Sequence, residues 1–167
     1  MVQGTKSIKL TGYRPGGLGK TVELHGRYYG AEWGFDIGFE SDVAAEMAGF
    51  LTRFDADRDG LWLAWLDDEM VGSITIDGEG ADNRAHLRWF IADPEITGRG
   101  IGAQLMDAAM SFCRNRGYSG VWLTTFAGLD AARKLYDRHG FIETGTFENT
   151  DWDRPITMQT LECPLSP

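Results

Sequence analysis

The period of the apolar positions changes several times along the chain, and each change marks an element. In residues 7–13, Ile8 and Leu10 alternate with polar neighbours, as in a strand with one buried face, and Arg14-Pro15-Gly16-Gly17 ends the run. Residues 18–29 read as a helix and 33–39 as a loop rich in glycine and aromatic residues. Ser41 is placed as the N-cap of a helix reaching Phe54, with Val43, Met47, Phe50, Leu51 and Phe54 along one side. The runs 61–66 and 70–76 are short and rich in strand formers, and Asp67-Asp68-Glu69 joins them, which predicts a hairpin. After a polar stretch, 86–92 is a third apolar strand.

Residues 100–116 carry a helical stripe of Ile101, Leu105, Ala108 and Phe112, and Gly117 closes it as a helix-ending glycine should. A strand at 121–126 follows. Asp130 is read as the cap of a helix running to His139, which Gly140 stops, and 141–147 with 156–161 form a closing pair. The order β-α-α-β-β-β-α-β-α-β-β predicts an α/β (α+β) architecture, a central sheet with helices on its faces, in one domain over 1–167.

Composition narrows the function classes. A formal net charge of -9 argues against a nucleic-acid partner, which needs a basic face. No run reaches the roughly 20 apolar residues of a membrane span, and residues 1–9 lack a signal-peptide layout, so no membrane association and a cytoplasmic location are expected. Cys113 reads as a buried free thiol within a helix. Cys163, near the C-terminus, is open to exposure, and no disulfide is expected. His25, His86 and His139 lack metal-ligand spacing, so no metal is expected.

The chemistry concentrates where the third apolar strand gives way to a helix through Asp93-Pro94-Glu95-Ile96-Thr97-Gly98-Arg99-Gly100-Ile101-Gly102-Ala103. The first turn of a helix presents N–H groups without partners, and with the positive end of the dipole they form an anion site. Gly98, Gly100 and Gly102 permit close approach of a ligand to the backbone, and Arg99 adds a positive charge. A dinucleotide-binding Gly-x-Gly-x-x-Gly does not fit, because Ala103 takes the third glycine's place and a hairpin precedes the turn. Gly19-Lys20-Thr21 is not a P-loop, since Arg14 stands where its first glycine belongs. Asp55–Gly60 imitates a calcium loop but has Leu66 at its twelfth position.

With these residues in view, the sequence resembles the GNAT superfamily of N-acetyltransferases. Thr97-x-x-Gly100-x-Gly102 is similar to its Gln/Arg-x-x-Gly-x-Gly/Ala signature, and Ala132-x-x-x-Tyr136-x-x-x-Gly140-Phe141 follows in the expected order. Leu87-Arg88-Trp89-Phe90, residues 131–136 and Trp33-Gly34-Phe35-Asp36 further resemble the acetyltransferase halves of MarR-type regulator fusions. The resemblance implies a mixed, mostly antiparallel twisted sheet of about seven strands with about four helices. It implies acetyl-CoA as cosubstrate, a small-molecule or peptide amine as acceptor, direct attack in a ternary complex, and a homodimer through the closing strands.

It also implies residue roles. Backbone from Arg99 to Ala103, with Thr97, Gly98, Gly100, Ile101 and Gly102, would hold the pyrophosphate. The strand backbone at Phe90, Ile91 and Ala92 would pair with the pantetheine arm, beside Leu129 and Ala132. Tyr136 would protonate the departing thiolate. Thr97 replaces the usual Gln or Arg, Leu129 stands where many members carry Asn, and Arg88-Trp89 occupy the strand region of the usual catalytic Glu. The base is then a water chain or a carboxylate of the first two helices; among Glu32, Asp36 and Glu40, the choice falls on Glu40. The alternative to an enzyme is a non-catalytic acyl-CoA sensor.

Overall fold

The computed structural model describes residues 7–96, 98–152 and 154–167; Thr97 lies outside the described residues. Its elements run β1 (Ile8–Thr11), α1 (Gly17–Trp33), α2 (Ile37–Thr52), β2 (Gly60–Leu66), β3 (Glu69–Asp77), β4 (Arg84–Ala92), α3 (Ile101–Asn115), β5 (Gly120–Phe126), α4 (Asp130–Arg138), β6 (Ile142–Asn149) and β7 (Ile156–Pro164). The seven strands make one sheet in the order β1-β2-β3-β4-β5-β7-β6. Every neighbouring pair is antiparallel except β4 and β5.

Two differences from the sequence reading bear on the site. α1 runs on to Trp33, where Gly34 in the left-handed region (φ 69°) turns the chain and donates back to Gly30 O. α2 then begins at Ile37, not after Ser41. Asp36 is its cap, with Oδ1 accepting from Ile37 N at 2.7 Å, so the expected loop is one tight corner between two helices. Asp130 is likewise not a cap but the first residue of α4, after Leu129.

Helix α3 packs on β2, β3 and β4, with Ile101, Leu105, Met106, Ala109, Met110 and Cys113 buried. That face is wider than the expected stripe, and Ala108 and Phe112 sit at its margin. The opposite face of the sheet receives α1 and α2, whose Leu24 and Met47 join Leu61, Leu63 and Ile91 in the interior. Cys163 is buried, with its thiol donating to His139 O, so it is not the exposed cysteine its place in the chain suggests.

The parallel pair β4–β5 creates the opening. Its register spans only Arg84↔Gly120, Ala85↔Val121 and His86↔Trp122. Beyond His86 the strands part, and among the described residues no strand pairs with the β4 edge from Leu87 to Ala92 on that side. β4 also bulges there. Ser73 pairs with Ile91 and Thr75 with Arg88, so Trp89 and Phe90 both stand opposite Ile74. Trp89 adopts φ 47°, a left-handed conformation that costs an aromatic residue about 1–3 kcal/mol. The Ser73 hydroxyl, donating to Trp89 O at 3.0 Å, helps to hold it. Bulges of this kind re-aim side chains beside functional sites.

Candidate active site

Two cavities meet at the parted strands. The larger, about 510 Å³, runs along the free edge of β4 to the N-terminus of α3 and is closed on its far side by α4. Phe90, Ile91, Ala92, Gly98, Arg99, Gly100, Ile101, Gly102, Ala103, Leu129 and Ala132, all singled out in the sequence as cosubstrate contacts, line it. Tyr136 lines the smaller cavity, about 200 Å³, which lies under α2. Tyr29, Phe90, Leu129 and Ala132 belong to both walls and form the junction.

The N-terminus of α3 is suited to an anion. Gly100 is its cap, at φ 67° and without a side-chain bond, and the first intrahelical bond runs from Gln104 N to Gly100 O. Ile101, Gly102 and Ala103 thus offer N–H groups that the helix itself does not use. Gly98 (φ 72°) and Gly100 adopt a backbone that side chains rarely take, and a Cβ on either would point into open space, where a ligand can pass. Gly102 serves packing instead, because a Cβ there would come within 2.9 Å of Leu135 on α4. An elongated cleft with these donors at one end and an unpaired strand edge along its side fits a pyrophosphate carrying an extended amide arm.

Tyr136 projects from α4 between Phe90 and Phe141, with ring centroids 6.0 and 5.8 Å away, and is 5% exposed. Burial pushes its hydroxyl well above the ordinary phenol range, so the proton stays on at neutral pH. None of the described residues hydrogen-bonds that hydroxyl. Tyr29 is shifted upward for the same reason.

The smaller cavity has an aromatic half and a charged half. Phe39, Phe126 and Trp152 build the first, at 5.1–5.6 Å between successive rings. Trp152 Nε1 donates to Asp42 Oδ2 at 2.9 Å, which ties the β6–β7 connection to α2. The charged half is Asp42 and Glu46 from α2 and Arg88 from β4. Arg88 pairs with Glu46 and, through Nη1 at 3.3 Å, with Asp77; its guanidinium lies 4.1 Å from the Trp89 ring centre. Arg53 donates to both oxygens of Asp77, at 3.1 and 2.6 Å. Burial alone would raise the Asp77 carboxyl, but these guanidinium bonds outweigh it and leave it below its ordinary value. His25 and His86 also line this cavity. Burial pushes them down to about 4 and about 3, so both are neutral at pH 7.

The structure does not bring Glu40 to either cavity. Its exposed side chain lies over α1, where a Cβ added to Gly26 would meet the Glu40 carboxyl carbon at 3.0 Å. Asp36 is engaged in capping α2. The carboxylates that do line the smaller cavity are Asp42 and Glu46, one turn apart on α2. The sequence signal for them was their i, i+4 spacing directly before Val43 and Met47 of the buried stripe. Arg88 and Trp152, which also line this cavity, were likewise not singled out as site residues, and nothing local marks Trp152. Among the described residues no His, Cys, Asp and Glu cluster could hold a metal, and no helix is long and apolar enough to cross a membrane.

Comparison with known proteins agrees with this geometry. The chain is 30% identical over 147 residues to the N-acetylaspartate synthetase of Rattus norvegicus, covering 87% of this chain and 47% of that protein. It is 32% identical over 96 residues to the L-amino acid N-acetyltransferase AaaT of Escherichia coli, covering 54% and 59%. The chain spans between 32% and 47% of the length of the N-acetylaspartate synthetases from frog, zebrafish and rat that it matches. A crystal structure of a GNAT-family acetyltransferase from Staphylococcus aureus superposes with a TM-score of 0.76 at 18% identity, over 96% of this chain and all of the other. The model of the Acetyltransferase (GNAT) family matches residues 20–141, and the chain belongs to that family.

Proposed function

We propose that the chain is an acetyl-CoA-dependent N-acetyltransferase, a single domain that acetylates the primary amine of a small molecule or peptide in a ternary complex. The observation that carries this reading is the junction of the two cavities: an anion cradle and a free strand edge lead to one side of it, and a cavity with carboxylates opens on the other. A module that only binds acyl-CoA has no use for the second cavity. Both named relatives act on amino acids, which makes an amino acid the first acceptor class to test.

Bound acetyl-CoA supplies the thioester. The N–H groups of Ile101 to Ala103 receive its pyrophosphate, and the β4 edge from Phe90 to Ala92 pairs with its amide arm. Asp42 and Glu46 attract the acceptor's ammonium group and Glu46 takes its proton, which frees the nitrogen lone pair. The amine attacks the carbonyl carbon, forming the C–N bond as the C–S bond breaks. Tyr136 gives its phenolic proton to the departing sulfur and regains one as the amide nitrogen sheds its own. The products are an amide, free CoA thiol and one proton released to solvent. The protonated phenol that burial enforces is the state a general acid requires.

Within the family we place the chain beside the acetyltransferase halves of MarR-type fusions, on Trp33–Asp36 and Leu87–Phe90. A cytoplasmic setting and a homodimer along the exposed edge strand β6 belong to the same reading. The test is free-thiol release with acetyl-CoA over an amine panel, alongside calorimetry with acetyl-CoA alone. Saturable binding and amine-dependent thiol release are expected. Binding without release for any amine would leave a sensor, and no binding at millimolar ligand would remove both readings.

A further inference from the structure

We propose that Arg88 anchors a carboxylate of the acceptor, that Glu46 keeps that place until the acceptor arrives, and that the preferred acceptor is an α-amino acid with an apolar side chain. This rests on the acetyltransferase reading above and names its substrate class.

The first observation is how Arg88 is held. Behind it stands Asp77, 6% exposed and fixed by Arg53; beneath it lies the Trp89 ring, which the strained bulge of β4 presents. Those two supports hold a guanidinium whose side chain is 21% exposed. On the cavity side its partner is Glu46, whose side chain is 58% exposed. An exposed ion pair contributes little, about 0–1 kcal/mol, so an incoming carboxylate can replace Glu46 at small cost. The planar fork of Arg suits a carboxylate bidentately.

The second observation is the charge inventory. With His25 and His86 neutral, Arg88 is the cation among the described residues lining the acceptor cavity, against Asp42 and Glu46. A zwitterionic α-amino acid satisfies this set: its carboxylate goes to Arg88 and its ammonium to the two α2 carboxylates. Its arrival also releases Glu46 from the guanidinium, so the proton acceptor is freed by the substrate it serves. An amine without a carboxylate leaves Glu46 engaged.

The third observation is the apolar part of the lining. Phe39, Val43, Phe126, Trp152 and Met158 offer the acceptor's side chain an apolar surface, and Asp42 fixes Trp152 against it. An acidic side chain would bring a second negative charge to a cavity whose one cation among the described residues is already taken. The preference therefore departs from the aspartate named in the synthetase relatives.

The test compares L-phenylalanine, L-methionine, phenethylamine and L-aspartate as acceptors at saturating acetyl-CoA. Binding of the same compounds to the protein–CoA complex is followed in parallel by tryptophan fluorescence. L-Phenylalanine is expected to exceed phenethylamine in kcat/KM by roughly 10²-fold, the upper scale of a hydrogen bond between charged groups. Part of that gap is expected in kcat, because Glu46 stays engaged with phenethylamine. R88Q is expected to shrink the ratio to within about threefold. Equal use of phenylalanine and phenethylamine by the unmodified protein, a ratio preserved in R88Q, or aspartate as the best acceptor would each overturn the proposal. If no amine is turned over, the enzyme reading fails. The binding arm then still decides the Arg88 assignment, for equal binding of phenylalanine and phenethylamine overturns it and selective binding of phenylalanine supports it.

Discussion

Replacing Asp77 by asparagine removes one negative charge and almost no volume, at the point where the polar network behind the smaller cavity converges. In the native protein the Asp77 carboxylate accepts from Arg53 at 2.6 and 3.1 Å, from Arg88 at 3.3 Å and from Glu79 N at 3.1 Å. An amide oxygen can replace one of these acceptors, but its NH₂ then faces a guanidinium. Hydrogen bonds to charged groups contribute about 1.5–3 kcal/mol each, and breaking a fully buried pair costs about 3–5 kcal/mol. Arg53 and Arg88, 31% and 21% exposed, recover part of that from water. A loss of about 2–4 kcal/mol follows, which for a domain of this length lowers the melting temperature by roughly 5–15 °C.

The pH dependence gives this prediction its sign. The folded carboxyl lies below the unfolded value of about 3.9, so its stabilisation is complete above that pH and disappears as the pH falls through the lower folded value. Urea unfolding of both proteins should therefore show a gap that is constant from pH 7 to 5 and closes below pH 4. Acceptor KM should rise in the variant while acetyl-CoA affinity stays unchanged, because Arg88 loses the support behind it. Equal midpoints at pH 7, or a gap that persists in acid, would refute the account of the network.

Three further outcomes can be measured directly. Y136F should lower kcat by about 10²-fold with little change in acetyl-CoA affinity or melting temperature, since its hydroxyl bonds to none of the described residues; a normal kcat would remove its role as acid. G100D should abolish calorimetric binding of acetyl-CoA, because it sets a negative charge at the anion cradle and a Cβ on a residue at φ 67°. L105A should destabilise the fold by about 2–5 kcal/mol in urea without changing acetyl-CoA affinity per folded molecule, because Leu105 is fully buried between α3 and the sheet.

Much of the larger cavity was legible in the sequence. The β4–turn–α3 segment announces itself through local chemistry: an apolar strand, a proline, spaced glycines and a strong amphipathic helix. Tyr136 stands out in the sequence only through its spacing to Gly140-Phe141. The smaller cavity was far less legible, because long-range geometry builds it. Asp42 and Glu46 look like ordinary helix-surface carboxylates until α2 is laid across the mouth of the parted strands. Placing the start of α2 at Ser41 rather than Asp36 concealed the corner at Gly34 and favoured Glu40, whose exposed side chain lies over α1. The bulge at Trp89 has no signature in Leu87-Arg88-Trp89-Phe90, whose residues suit a regular strand. Trp152 meets Asp42 across 110 positions of chain, a contact no window of sequence can contain.

The most direct test of the central claim is to incubate the protein with acetyl-CoA and an amino-acid panel, and to quantify free CoA thiol and N-acetylated product in the same reaction. The account predicts that the two appear in equal amounts, only when an acceptor is present, and that both fall together in Y136F. Thiol release without acetylated amine, or neither product while acetyl-CoA binds, would contradict it.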